Sequence, residues 1–210
     1  MKSLIKTFLF IFPLYAQYPA DSLFNDPNNG VFQKLFIYPI TQWQRISYNN
    51  SNIGCQFYPN CSLYAAQSIH EHGSLSGLFM TSDRIIRCSP FAENEHQKNN
   101  GEYYIDGRLI DPVNISKNSH NKKSPVLAAG LSMLLPGLGR IYSGRIGDGL
   151  IGFTFTSLAL NKAIKSHKNN SLFAPLYIGI VIPLYGGEIY GAYRSAKPVS
   201  YTHLTLPTKA

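Results

Sequence analysis

The chain has 210 residues, with 19 Lys and Arg against 11 Asp and Glu, a formal surplus of +8 at neutral pH. Only 14% of its residues are charged, against roughly a quarter in a typical soluble domain. This length allows one or two small domains, and the positive surplus points to anionic lipid headgroups as partners. No dense basic stripe or nucleic-acid motif accompanies the charge, which sets nucleic acid aside.

Residues 1–16 have the layout of an export signal. Lys2 and Lys6 precede an apolar run from Phe8 to Tyr15, too short to span as a stable helix, and Ala16 suits a cleavage site. The same run would also serve as an uncleaved anchor lying against the membrane. Residues 17–30 form a Pro/Asn/Asp-rich linker without periodicity.

From Val31 the spacing of Phe32, Leu35, Phe36, Trp43 and Ile46 predicts a helix, kinked or split at Pro39. Lys34, Gln42 and Arg45 fall on its other face. Such a helix either lies in a membrane interface or packs on its own domain. After a polar loop, Pro59 stops the preceding element and Asn60 is placed to cap a helix reaching about His72. Gly73 suits its end, and Ser74 is placed to cap a second helix. Leu75, Leu78, Phe79, Ile85 and Ile86 form the expected buried stripe of that helix, which Pro90 ends. An irregular loop is expected from Ala92 to Val113, followed by a basic linker over residues 114–124.

Composition then turns apolar. Residues 125–197 hold three apolar stretches, Pro125–Tyr142, Ile146–Leu160 and Leu172–Tyr193, read as membrane helices. The small residues Ala128, Ala129, Gly130 and Ser132 would allow close helix approach in lipid. Pro136 to Gly144 lacks the Gly-Lys-Ser/Thr ending of a phosphate loop and resembles the turn of TM2-type helical hairpins. Lys122 and Lys123 on one side, and Lys162, Lys165 and Lys168 on the other, favour a cytoplasmic location for both hairpin ends. A cleaved export signal favours the opposite face for the residues before them. Residues 198–210 resemble a translated sequencing adapter and are set aside.

Three cysteines invite chemistry. Cys55, Cys61 and Cys88 with His70 or His72 would make a Cys3His zinc set, although the C-x5-C spacing is not that of a common zinc knuckle. A disulfide between two of them requires export and leaves one thiol over. A thiolate nucleophile would need His70 or His72 as base beside Arg84 and Arg87, but neither a catalytic signature nor paired carboxylates surround it. Small buried packing residues are the favoured role, with no catalytic residue, metal ligand or cofactor assigned.

The segment Cys55-x-Phe57-x-Pro59-x-Cys61-Ser62-x-Tyr64-Ala65 resembles the C-R-[YF]-x-P-[ST]-C-S-x-Y-[AG] core of the membrane protein insertion efficiency factor (YidD) family. His72-Gly73, Gly77, Arg84-Ile85, Arg87-Cys88-x-Pro90-Phe91 and Asp111-Pro112-Val113 follow in the family's order. Gln56 and Asn60 depart from it, standing for the usual Arg and Ser or Thr. The resemblance implies a non-catalytic accessory factor at the bacterial inner membrane, on its cytoplasmic face near insertase and translocon. There it would aid the insertion of client membrane proteins.

The resemblance also implies that the helix from Phe32 to Ile46 binds the membrane. Phe32, Phe36 and Trp43 would then enter the interface, while Lys34, Arg45, Arg84 and Arg87 meet acidic lipid. The expected fold is all-α: a small cysteine-containing helical domain over residues 31–113, followed by apolar membrane helices. The alternative is an exported, membrane-tethered, disulfide-bearing binding domain on the periplasmic face.

Overall fold

The computed structural model describes residues 18–50, 54–113 and 123–197. The export-signal and adapter-like segments lie outside the described residues, as does most of the basic linker.

Helix α1 (Pro19–Asn25) lies where sequence spacing predicts only linker. Seven residues are too few to show a period, but Pro19 at the first turn and Asp21 behind it suit a helix start. Tertiary contact holds it: Ala20 packs into a core with Ile37, Ala66 and Ile69. Helix α2 (Val31–Ser47) runs unbroken through Pro39, which faces outward. The carbonyl of Leu35 that proline leaves without a donor lies on the same solvent-facing side, so water can serve it.

Strand β1 (Phe57–Tyr58) leads into helix α3 (Cys61–His72), whose N-terminus is capped by Asn60 Oδ1 accepting from the Leu63 amide at 2.9 Å. Gly73, at φ +80°, ends α3 and directly opens helix α4 (Ser74–Arg87), taking the capping position expected of Ser74. The buried face of α4 differs from its predicted stripe. Gly77, Met80, Asp83, Arg84, Ile86 and Arg87 are buried, whereas Leu75 and Ile85 are exposed. The expected loop from Ala92 to Val113 contains helix α5 (Ala92–Lys98) and strand β2 (Leu109–Ile110). β2 pairs in parallel with β1, Phe57 opposite Leu109 and Tyr58 opposite Ile110. Two-residue strands are too short for alternation to announce them.

The last four helices are α6 (Pro125–Leu134), α7 (Leu138–Tyr142), α8 (Ile146–Lys168) and α9 (Ala174–Ala196). α9 packs against α4, α6 and α8, which explains why α4 turns a different face inward. The expectation of membrane-crossing helices is corrected here. Among the described residues, no helix is long and apolar enough to cross a membrane. α8 ends in Lys162, Lys165 and Lys168, and α9 carries Pro183, Glu188 and Arg194. The described residues are thus mostly helical, with one two-stranded sheet among them.

Candidate functional site

α2 is polar on part of its inward side and apolar on its outward side. Thr41 and Gln44 are fully buried along with Ile37. Gln44 Oε1 accepts from the Ala20 amide at 3.0 Å, and its Nε2 donates to Ser62 Oγ at 3.2 Å. Facing out are Val31 (83% exposed), Phe32 (73%), Leu35, Trp43 and Ile46, with Phe36 half-exposed. Water-soluble helices arrange these groups the other way round. Arg45 does not join that outward face. Its guanidinium donates to Thr41 O at 2.8 Å and pairs with the buried Asp21 at 3.1 Å.

Arg84 and Arg87, expected to meet acidic lipid, are buried instead, and this corrects the sequence expectation. Arg84 lies 4.2 Å from the ring centre of Tyr64 and 4.7 Å from that of Phe57, donating to Pro59 O at 2.6 Å and to Asp111 O. Arg87 pairs with Asp83 at 3.0 Å and Asp111 at 2.7 Å. The signature residues Phe57, Pro59, Tyr64, Arg84 and Arg87 therefore build one internal support rather than a surface. Gly77 belongs to it as well: a Cβ there would sit 2.5 Å from Ile69 Cα. Phe91 contacts Gly147, and Ser62 holds Gln44, whereas His72 and Pro90 are exposed.

The network reaches beyond the signature. Asp83 also receives Arg140 at 2.8 Å and Arg194 at 3.0 Å, while Arg194 reaches Asp111 at 3.3 Å. Arg140 pairs in turn with Glu188 at 3.1 Å. Sequence reasoning missed Asp83, Arg140, Glu188 and Arg194. The available signal was the presence of charged residues inside otherwise apolar stretches.

Two of the three cysteines pack as expected of small core residues, Cys55 and Cys61 lying against a cluster of Phe57, Ala92 and Leu109. Cys55 and Cys61 are half-buried, Cys88 is exposed, and none forms a disulfide. They converge from the loop before β1, the first turn of α3 and the end of α4, bringing their three Sγ atoms within 4.8 Å of one another. His70 is elsewhere, its Nδ1 2.9 Å from Asn29 Oδ1. The thiols of Cys61 and Cys88 hydrogen-bond to Cys55 and hold it well below the ordinary thiol range; the same contacts push Cys61 up, and Cys55 pushes Cys88 up. The trio opens into a cleft of about 510 Å3 that Trp43, Tyr48 and Arg108 also line.

The family model described as "Putative membrane protein insertion efficiency factor" (YidD) matches residues 32–99. A relative of that name from Clostridium perfringens strain SM101 is 39% identical over 61 residues, which are 29% of this chain and 88% of the relative. A Rickettsia massiliae relative of the same name is 51% identical over 39 residues, 19% of this chain and 48% of its own length. One from Francisella tularensis strain SCHU S4 is 40% identical over 42 residues, 20% of this chain and 60% of its own length. No solved structure matches the chain.

Proposed function

We propose, from the premise that the chain belongs to the membrane protein insertion efficiency factor family, that it binds a membrane surface through α2 and assists the insertion of other chains there without catalysis. The observation that carries this reading is the outward row of Val31, Phe32, Leu35, Trp43 and Ile46 on a helix whose buried side is hydrogen-bonded. Each large apolar side chain moved from water into lipid contributes about 1.5–3 kcal/mol when fully buried. Lys34 adds about 1 kcal/mol near an anionic leaflet. Five such groups suffice to localise the protein without a span.

The outer sides of α6, α8 and α9 support the same reading. Leu134, Leu158 and Leu176 on these helices and Leu172 in the turn before α9 are all exposed, with the exposed Lys162, Lys165 and Lys168 at the end of α8 placed to meet anionic headgroups. Exposed apolar surface on this scale marks a membrane or protein contact. Anionic lipid is the first partner in this reading, with insertase, translocon and client segments recruited to the bound protein at the bacterial inner membrane.

Trp43 is the chain's single tryptophan, so it reports the contact directly. Adding phosphatidylglycerol vesicles at low salt is expected to shift its emission to the blue and to sediment the protein. Leu35→Glu combined with Ile46→Glu, both at exposed positions, should weaken partitioning at least about tenfold while helix content stays unchanged. A folded wild-type chain that neither shifts nor sediments would refute the proposal.

A further inference from the structure

Cys55, Cys61 and Cys88 take no part in the membrane contact, and packing alone does not explain their convergence on an open cleft. Their Sγ atoms all lie within 4.8 Å of one another, with Cys55 and Cys61 at 3.5 Å. A Zn2+ ion holds thiolate sulfur at about 2.3 Å, which separates tetrahedral ligand sulfurs by about 3.8 Å. The trio therefore needs only side-chain adjustments on the order of 1 Å to meet that geometry.

We infer that Cys55, Cys61 and Cys88 bind one Zn2+ ion as three of its four ligands, with water in the fourth position facing the cleft. Three soft thiolates select such an ion over Mg2+ or Ca2+. Metal binding releases the thiol protons to solvent and moves no electron.

The surroundings suit the resulting charge. Cys61 sits in the first turn of the twelve-residue α3, where backbone amides favour a thiolate. Gln56 Nε2 donates to Cys88 Sγ at 3.5 Å, the outer hydrogen bond that orients a ligand sulfur. Arg108 lines the same cleft. Histidine does not complete the set: at about 1.5 Å per residue, His70 and His72 lie roughly 14 and 16 Å along α3 from Cys61.

The test uses the full chain, reduced and stripped of metal by a chelator. Zn2+ is titrated against a chromogenic competitor, with Co2+ as spectroscopic stand-in. One equivalent per chain, a strong near-ultraviolet thiolate-to-Co2+ band and shielding of three thiols from a thiol reagent are expected. Cys88→Ser, at an exposed helix end, should retain the circular dichroism spectrum and bind Zn2+ about 100-fold or more weakly, beyond the usual loss from an outer partner. His72→Gln should leave affinity unchanged. The inference is overturned if Cys88→Ser binds as tightly as wild type, or if the reduced chain takes up no metal and mild oxidation instead joins Cys55 to Cys61.

Discussion

Asp83 is fully buried and shared by three guanidiniums, those of Arg87, Arg140 and Arg194. Burial alone would raise its pKa, but these three cations outweigh burial and hold it well below the usual carboxylate range. An unfolded Asp titrates near 3.9. The native carboxylate therefore stabilises the fold fully above about pH 4, and that stability is lost as pH falls below this value. Asp83→Asn leaves three buried cations short of a partner and is expected to remove about 3–5 kcal/mol at neutral pH. Urea unfolding at pH 7 and again near pH 3 checks both parts, because the variant's deficit should shrink at the lower pH. Glu188 contrasts with it. Burial pushes its carboxyl up despite Arg140, so its ionised form contributes less at neutral pH. Glu188→Gln should accordingly cost less than Asp83→Asn.

Helices α3 and α4 touch through Gly77. A Cβ at that position would fall 2.5 Å from Ile69 Cα and 2.6 Å from Ile69 N, both backbone atoms that cannot rotate away. Gly77→Ala gains about 1 kcal/mol of helix propensity but forces the two helices apart. Overpacking of this kind costs about 1–3 kcal/mol. A lowered melting midpoint is expected, and a raised one would show that the helices slide freely. These two helices were also the most legible part of the chain, because Asn60 and Gly73 punctuate them locally. α1 was not legible: its seven residues are held by the Ala20 amide donating to Gln44 and by Asp21 binding Arg45, each partner 24 residues away in sequence. The inward face of α4 was misread for the same reason. Leu75 and Ile85 have the periodicity of a buried stripe, but Asp83 meets Arg194, 111 residues later. The cysteine corner was legible as a signature and illegible as a cluster, since the fold alone brings Cys88 to Cys55 and Cys61.

Across the whole molecule, the family match ends at residue 99, while Arg140, Glu188 and Arg194 come from beyond it. α9 thus supplies ion-pair partners to α4, a helix inside the matched stretch. This arrangement joins α9 to the matched stretch through buried ion pairs. Arg194→Ala removes a partner from both Asp83 and Asp111 but leaves each of them Arg87. The loss should therefore be smaller than for Asp83→Asn, about 1.5–3 kcal/mol for charged hydrogen bonds. Its distribution is the informative part. Trp43 fluorescence follows α2, and far-ultraviolet circular dichroism follows all the helices together. If α9 stabilises the matched stretch through α4, both probes should report one coincident urea transition in wild type. In Arg194→Ala both midpoints should then fall by the same amount. A Trp43 transition that stays put while the circular dichroism transition moves would mean that α2 and its neighbours fold without α9. The buried charges between α4 and α9 would then be a contact between independent units, not a shared core.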